Sequence, residues 1–260
     1  MSAATDHLCW GESDPCHGAH RLEASGLSVA YGATLALDRV SFGADCGTRL
    51  ALLGPNGAGK SSLLKALAGV LRPSAGSVRW RGEPMRKATH EIAYLPQRGE
   101  VDWEFPLTVR GLVEMGRFAQ LGHWRRFGAH DREMVGKALA AMEMADLAGR
   151  RIGELSGGQQ QRAFIARALA QEAHVLLLDE PFTGLDSPAQ ASLGALLAQL
   201  ASEGRLVIAS HHNLQTAGEL FDEALLLDRS LAAAGKVGDV LRSERLAAAF
   251  GAIASPTPRR

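Results

Sequence analysis

The sequence lacks several features that would define other classes of protein. Its 260 residues include three cysteines, Cys9, Cys16 and Cys46, an odd and sparse set that favours a reducing compartment over a disulfide framework. No stretch approaches the roughly 20 uninterrupted apolar residues that a membrane-spanning helix needs. The first twenty residues contain no apolar segment typical of a secretory signal. We therefore expect a cytoplasmic protein that does not itself cross the membrane.

Net charge is also absent, because 28 Lys and Arg residues balance 28 Asp and Glu residues. Without a global basic field the chain cannot collect nucleic acid or anionic lipid, so a polyanionic ligand must be bound locally. Apolar residues make up 46% of the chain, enough for the core of a large domain. Glycine is plentiful, with 29 residues and no collagen-like period, which indicates tight backbone turns.

Strands and helices alternate along most of the chain. Continuous apolar runs at 50–53 and 175–178 are typical of parallel strands covered on both faces. The predicted strands lie within 22–42, around a Tyr31-Gly32 turn, and at 50–53, 77–80, 92–95, 175–178, 206–209 and 224–227. The predicted helices begin after Ser62 and lie at about 109–118, 132–145, 157–170, 188–202 and 214–220. This alternation predicts an α/β fold with a parallel-sheet core.

A glycine-rich loop stands between the 50–53 strand and the helix that follows it. Its pattern, Gly54-x4-Gly59-Lys60-Ser61, is a P-loop in the context that the motif requires. The glycines let backbone N–H groups converge on phosphate oxygens, and the helix N-terminus adds partial positive charge. Lys60 reaches the β- and γ-phosphates, and the Ser61 hydroxyl is placed for Mg²⁺. The predicted phosphate-binding residues are Gly54, Pro55, Asn56, Gly57, Ala58, Gly59, Lys60, Ser61 and Ser62.

Two adjacent carboxylates follow the buried run at 175–178. In a P-loop protein such a strand delivers Asp179 beside the glycine loop, where its carboxylate can hold Mg²⁺ through water. Glu180 is then placed to orient and deprotonate an attacking water. A strand that merely ends in charge at the surface is the alternative explanation. The P-loop upstream favours the catalytic interpretation.

A third motif, Leu155-Ser156-Gly157-Gly158-Gln159-Gln160-Gln161-Arg162, resembles the signature of ATP-binding cassette (ABC) ATPases, and the resemblance extends over about 22–241. Ser156 and the amides of Gly157 and Gly158 open a helix, so they can cap a γ-phosphate. The resemblance implies that they act, with Gln159, on ATP held by a second copy of the chain in an ATP-sandwich homodimer.

The resemblance also implies an architecture. It is the P-loop NTPase fold of the ABC type, with a parallel-sheet core, an antiparallel β subdomain and a helical subdomain inserted at about 98–165. We expect the ATPase domain to cover 21–250, between a disordered tail at 1–20 and a C-terminal tail at 251–260. The His and Cys residues of the first tail have a spacing that fits no standard closed zinc site, so we expect no specific metal there.

Four further site residues are implied by the same resemblance. Tyr31 lies where the family places an aromatic ring on adenine, although a lone Tyr in a turn more often packs. Gln97 corresponds to the Q-loop glutamine, which senses Mg²⁺ and the membrane partner. Asp186 matches the D-loop, which crosses the dimer interface. His212 is the predicted γ-phosphate contact.

The choice of His212 rests on register. Two histidines precede Asn213-Leu214, where the family usually has one His followed by Asp and Leu. Aligning Asn213-Leu214 with that pair selects His212 and leaves His211 as a packing neighbour. The exchanged assignment stays open, because Asn replaces the usual Asp.

The stretch from Pro96 to Val109, with Met115-Gly116-Arg117, is similar to the manganese, zinc and iron-chelate importer subfamily. This implies an ATPase bound peripherally at the cytoplasmic face of the membrane. Its partners would be integral-membrane permease subunits and, indirectly, an extracytoplasmic solute-binding protein, with no nucleic acid. Trp103 and Phe105 then form either an apolar seat for the permease or part of the core.

Two alternatives remain. The first is an ABC ATPase for another solute, such as an iron–siderophore complex. The second is a soluble ABC protein that acts on nucleic acid or ribosomes, which we disfavour because the chain has one cassette and a short segment between its P-loop and signature. No residue of the chain selects manganese over zinc.

Overall fold

The computed structural model describes residues 20–85, 89–121 and 125–251. Most of the predicted N-terminal tail, including its histidines and cysteines up to His17, lies outside the described residues, as do residues 252–260. The strands in chain order are β1 Arg21–Tyr31, β2 Thr34–Asp45, β3 Arg49–Leu53, β4 Ala75–Trp80, β5 Glu83–Pro84, β6 Ile92–Leu95, β7 Val175–Leu178, β8 Leu206–Ser210, β9 Glu223–Asp228 and β10 Ser230–Lys236.

The α-helices of the described residues occur in three groups. One follows the glycine loop, four lie between β6 and β7, and the others connect or follow the later strands. In chain order they are α1 Lys60–Leu67, α2 Val109–Glu114, α3 Phe118–Leu121, α4 Ala129–Ala141, α5 Gly157–Ala170, α6 Ser187–Ser202, α7 Leu214–Leu220, α8 Val237–Leu241 and α9 Glu244–Gly251. No helix of this part of the chain is long and apolar enough to cross a bilayer.

The strands form two sheets, as the predicted fold class requires. Four of them make an antiparallel sheet in the order β2-β1-β4-β5. The other six make the core sheet in the order β10-β9-β3-β8-β7-β6, which is parallel except for β10. The residues of β7 and β8 are buried throughout because both faces are covered, one by α5 and α6 and the other by α1 and the antiparallel sheet, which explains their unbroken apolar sequence. The carboxyl ends of β3, β6, β7 and β8 therefore meet at one edge.

The helical segment between β6 and β7 differs in detail from the prediction. The helix expected at 109–118 is interrupted by a 3₁₀ turn at Met115–Arg117, and α3 continues to Leu121. At Gly116 an added Cβ would collide with the carbonyl of Arg167, so the turn lies directly against α5. The helix expected at 132–145 begins at Ala129 and ends at Ala141, because Glu143 adopts a left-handed conformation with φ 55°.

A buried ion network fixes this segment to the core. Arg117 is fully buried, and its Nε donates to Asp131 Oδ1 at the start of α4, 3.0 Å away. Its Nη1 donates to the Ala170 carbonyl at the end of α5 (2.8 Å) and to the Glu172 carboxylate. Buried charges are tolerated when they are paired in this way, so Arg117 determines where α4 and the last turn of α5 meet.

Candidate active site

The glycine loop lies between β3 and α1, and its path depends on residues without a Cβ. Gly54 has φ 145°, and a side chain there would collide with the Leu227 carbonyl of β9. Gly59 has φ 94°, and a side chain there would collide with Leu37 and the Ala36 carbonyl of β2. Both positions are therefore restricted to glycine by backbone conformation and by space. The loop is held between the two sheets with α1 starting directly at Lys60.

Lys60 is the buried cation of this loop, with 7% of its surface exposed. Its Nζ donates to the carbonyls of Gly54 and Pro55, at 2.7 and 2.9 Å. Burial lowers the pKa of Lys60, and the charges of Glu180 and Asp179 oppose that shift. The ammonium group is thus held over the loop opposite two carboxylates.

Asp179 and Glu180 follow β7 at the same edge of the core sheet. Asp179 is 3% exposed and accepts a hydrogen bond from Ser210 Oγ at Oδ1 (2.7 Å). The same Ser210 Oγ accepts from the backbone N–H of Glu180, also at 2.7 Å. Glu180 Oε2 accepts from Gln97 Nε2 and from Thr183 Oγ1, each at 3.2 Å. The two carboxylates therefore point to different surroundings, one buried and one at the surface of a cleft.

Ser210 contacts both carboxylate residues and was not among the predicted site residues. Its hydroxyl orients Asp179 and fixes the backbone of Glu180, which has φ 50° and so departs from ordinary strand geometry. The available signal was its position, since it is the last residue of β8, directly before the two histidines. A polar residue at the carboxyl end of a buried parallel strand is placed at the same edge as the acidic pair.

Asp179 has one oxygen that no described group satisfies. Its Oδ2 is buried, and no described residue forms a hydrogen bond with it. An unsatisfied buried carboxylate oxygen is costly unless a cation or water completes it. Carboxylate, hydroxyl and amide oxygens are the donors that Mg²⁺ accepts, so Asp179, Ser61 and Gln97 are chemically suited to hold that ion.

A cleft of about 530 Å³ opens where these elements meet. It is lined by the glycine loop, the start of α1, Ala36 of β2, Gln97 two positions after β6, and Glu180. The full set is Ala36, Asn56, Gly57, Gly59, Lys60, Ser61, Ser62, Gln97 and Glu180. Tyr31 is half exposed, and its hydroxyl lies 3.3 Å from Ser62 Oγ. The predicted adenine-stacking ring is therefore beside the glycine loop with a free face.

The two adjacent histidines have different environments. His211 is 4% exposed, contacts Phe182 and Phe221 at centroid distances of 5.4 and 5.5 Å, and shares a hydrogen bond with Thr216 Oγ1 through Nε2 (2.8 Å). Burial, assisted by the neighbouring His212, lowers the pKa of His211 to about 4, so this ring is neutral at pH 7. His212 is exposed.

The signature residues occupy the start of α5. Ser156 Oγ accepts from the backbone N–H of Gln159 at 3.4 Å, and Gln159 Oε1 accepts from the backbone N–H of Ser156 at 3.0 Å. This reciprocal capping box leaves Ser156 exposed, with Gly157 and Gly158 in the first helical turn. Among the described residues, those at 156–159 do not line the cleft that contains Lys60.

Asp186 begins the next element. It is exposed and caps α6, since its Oδ1 accepts from the backbone N–H of Ala189 at 2.9 Å. Neither Asp186 nor the signature turn reaches the Lys60 cleft of its own chain, so the predicted site residues form two groups on one molecule.

The two aromatic residues of the predicted permease seat, Trp103 and Phe105, have different environments. Trp103 packs edge-on against Phe164 of α5, with ring centroids 5.5 Å apart, and its Nε1 donates to the Arg98 carbonyl at 3.0 Å. Phe105 is 56% exposed. Trp103 therefore belongs to the packing of the helical segment, and Phe105 is the aromatic ring available to a partner.

A glycine loop with a buried lysine, facing an acidic pair at the end of a parallel strand, defines a P-loop NTPase. The family model described as "ABC transporter" matches residues 37–183. The chain belongs to this family: it is an ATP-binding cassette, and it binds and hydrolyses ATP. The resemblance drawn from the signature motif is thereby confirmed.

Individual relatives cover nearly the same part of the chain. It is 42% identical over 229 residues to the manganese transport system ATP-binding protein MntB of Halalkalibacterium halodurans, across 88% of this chain and 91% of the relative. It is 43% identical over 235 residues to MntA, the corresponding protein of a Synechocystis species, across 89% and 90%. A solved inward-facing ABC transporter assigned to the metal-chelate type matches with a TM-score of 0.78 and 32% identity, across 90% of both chains.

Proposed function

We propose that this chain is the ATP-hydrolysing subunit of a transporter that imports a divalent metal, with manganese as the favoured substrate. The cleft that combines Lys60, Gln97 and Glu180 carries the ATPase part of the proposal. The two relatives named for manganese transport support the substrate, because they match about nine tenths of the chain at above 40% identity. We infer a single ATPase domain over 21–250, with the helical subdomain inserted at about 98–165.

In the proposed nucleotide site, the loop amides from Gly54 to Ser62 and the Lys60 ammonium bind the phosphates, and Tyr31 stacks on the adenine. Ser61, Gln97 and Asp179 would hold Mg²⁺. When bound, this ion would neutralise charge on the β- and γ-phosphate oxygens. The unsatisfied Asp179 Oδ2 supports its place in the set.

Hydrolysis is assigned to Glu180 and His212. The Glu180 carboxylate faces the cleft and accepts the proton of the attacking water, while Gln97 and Thr183 orient it through their hydrogen bonds. His212 is exposed at the end of β8 and can contact a γ-phosphate, whereas His211 is held in a neutral, packed position. The burial difference supports the assignment of His212 over His211.

A second copy completes each site in this proposal. Ser156, Gly157, Gly158, Gln159 and Asp186 lie apart from the Lys60 cleft of their own chain, so we assign them to ATP held by the partner copy in a head-to-tail dimer. The exposed start of α5 supplies unpaired N–H groups and a positive dipole end, which suit a γ-phosphate. The homodimer would bind permease subunits peripherally at the cytoplasmic face, with an extracytoplasmic solute-binding protein as an indirect partner.

Metal uptake in cells tests the substrate. Deleting the gene should lower accumulation of radioactive manganese, and wild-type protein should restore it. Lys60→Ala should fail to restore it, because the variant lacks the cation that faces the phosphates. Zinc and iron accumulation serve as parallel measurements. Unchanged manganese uptake with reduced uptake of another solute, in cells without a redundant importer, would replace manganese by that solute.

Phe105 offers a test of the permease contact. Because exposed aromatic rings often dominate interface energy, Phe105→Ser should abolish co-purification with the permease while leaving the thermal midpoint and the basal ATPase of the purified chain unchanged. Trp103→Ala is the contrasting variant, and it should lower the thermal midpoint because it removes packing against Phe164. Normal assembly of Phe105→Ser would exclude this ring from the interface.

A further inference from the structure

An ion pair joins the P-loop helix to the segment that carries Gln97. Lys65 Nζ lies 2.6 Å from Glu100 Oε1, although the residues are 35 positions apart in the chain. The Lys65 side chain is 24% exposed and that of Glu100 is 41% exposed. This ion pair therefore connects α1 to the turn at 98–100, and both of its side chains are partly covered by the protein.

Both partners lie close to cleft residues along the chain. Lys65 lies one turn after Ser61 on α1, so the two side chains share a helix face. Glu100 ends the 3₁₀ turn Arg98–Glu100, whose backbone N–H at Glu100 donates to the Gln97 carbonyl at 2.9 Å. The position of Glu100 is therefore linked to that of Gln97 through one backbone hydrogen bond.

Among the described residues, the other side-chain contacts of this segment are made mainly by Arg98, whose guanidinium lies over the Trp103 ring, 5.9 Å from its centroid, and beside Gly157. Residues 97–100 are all exposed, and the turn has no buried residue of its own. Gln97 contacts Glu180 through a hydrogen bond of 3.2 Å, and the Arg98 carbonyl accepts from Trp103 Nε1 within the same stretch of chain. Exposed segments with few packed contacts detach locally at a small cost in free energy. One ion pair to a helix therefore has a measurable effect on the position of such a segment.

The charges around Glu100 favour a functional role for its ion pair with Lys65. Burial raises the pKa of Tyr94 in β6, and the nearby carboxylates Asp179 and Glu100 raise it further. Glu100 and Asp179 therefore both act on the same Tyr94 hydroxyl, and the hydrogen bond from Lys65 to Glu100 is the main reason that the pKa of Lys65 is raised. Lys65 supplies the compensating charge between the Gln97 segment and α1.

We propose that Lys65 and Glu100 are positioning residues for ATP hydrolysis, whose ion pair holds the Gln97 segment against α1 so that Gln97 stays at Glu180. The inference rests on the proposed role of Gln97 and adds a way in which the P-loop helix places it. Neither Lys65 nor Glu100 lines the cleft or contacts the reacting atoms.

Charge reversal in the purified full chain tests the pair. The variants are Glu100→Gln, Lys65→Glu, Glu100→Lys and the double reversal Lys65→Glu with Glu100→Lys. The control is the same reversal of Glu133 and Lys137, an exposed ion pair of 2.8 Å within α4. Steady-state ATPase gives kcat and KM, and hydrogen exchange reports the amides of Glu100 and Val101, which donate to Gln97 and Arg98.

We expect Glu100→Gln to lower kcat by about two- to fivefold at unchanged KM, and to speed exchange of those two amides by a similar factor, as loss of a partly exposed ion pair allows. The single reversals should have larger effects because they add repulsion. The double reversal should restore kcat and exchange toward the wild type, while the thermal midpoint stays constant and the control pair changes neither.

Two results would overturn the proposal. One is wild-type kcat and exchange in Glu100→Gln. The other is a double reversal no better than the worse single variant. Failure of the proposed role of Gln97 would be seen separately, as wild-type kcat in Gln97→Ala.

Discussion

Glu180→Gln is expected to slow ATP hydrolysis by about 10²–10⁴-fold while leaving ATP binding intact, because the amide cannot accept the proton of the attacking water. The replacement has the same size, and its remaining oxygen can still accept from Gln97 and Thr183. The Ser210 contact is made to the backbone of residue 180 and is therefore kept. Turnover and nucleotide titration of the purified variant measure the two quantities separately.

Glu180→Gln should also accumulate an ATP-bound dimer, because ATP hydrolysis, the step that ends the ATP-bound state, is blocked. Light scattering with and without ATP measures this. Glu219→Gln, at an exposed position on α7, is the matched control and should retain wild-type turnover and remain a monomer under the same conditions. Turnover of Glu180→Gln near that of the control would place the general base elsewhere.

Those parts of the site that follow buried strands could be predicted from sequence. The glycine loop follows β3 and the acidic pair follows β7, and the carboxyl ends of parallel strands reach one edge of a sheet. Their residue types then specify the chemistry, because loop amides and a lysine suit phosphate and carboxylates suit a cation or a proton. The α/β class and the ABC family followed from the same local patterns and are confirmed.

Contacts between distant residues could not be predicted in this way. Two such contacts are the Ser210 hydroxyl between Asp179 and Glu180 and the Lys65–Glu100 ion pair. They depend on how strands and loops pack, which the local spacing of apolar residues does not encode. The helix boundaries at Gly116 and Glu143 have the same origin. One is set by close approach to α5 and the other by a left-handed residue, and neither interrupts the helical spacing of apolar residues.

The two histidines show a related limit. Register with a family pattern selected His212, but burial separates the rings more directly, because His211 packs against two phenylalanines and His212 is exposed. Trp103 and Phe105 differ in burial in the same way, although the sequence pattern had assigned both to one role. Side chains only one or two positions apart can face a core and a solvent, so their roles must be assigned singly.

Ser156→Arg is expected to lower dimer-dependent hydrolysis by about 10²–10³-fold, the usual effect of losing one preorganised donor to a reacting oxyanion or phosphate. The exposed serine at the start of α5 would be replaced by a bulky cation, which in the proposed head-to-tail dimer would face the partner copy. ATP binding to the monomer should persist, because the Lys60 cleft of the same chain does not include residue 156. Steady-state ATPase and nucleotide titration check both statements.

Loss of the helix cap is a separate effect and needs its own control. Ser156 accepts from the Gln159 N–H, and removal of such a cap costs about 0.5–2 kcal/mol of stability. Thr108→Arg removes the equivalent cap of α2, where Thr108 Oγ1 accepts from the Gly111 N–H at 3.1 Å. It should reduce stability comparably and leave hydrolysis per folded molecule near the wild type.

Mixed dimers locate the defect across the interface. A dimer of Ser156→Arg with Lys60→Ala has one site with both defects and one with neither, so hydrolysis should return at the intact site. Placing both substitutions in one chain and pairing it with the wild type gives the same mutations but damages both sites, and this dimer should stay inactive. Full activity of Ser156→Arg alone would contradict the assignment, and equal activity of the two mixed dimers would give trans capping no support. The difference between them isolates the contribution of the partner's serine, because composition and total charge are identical.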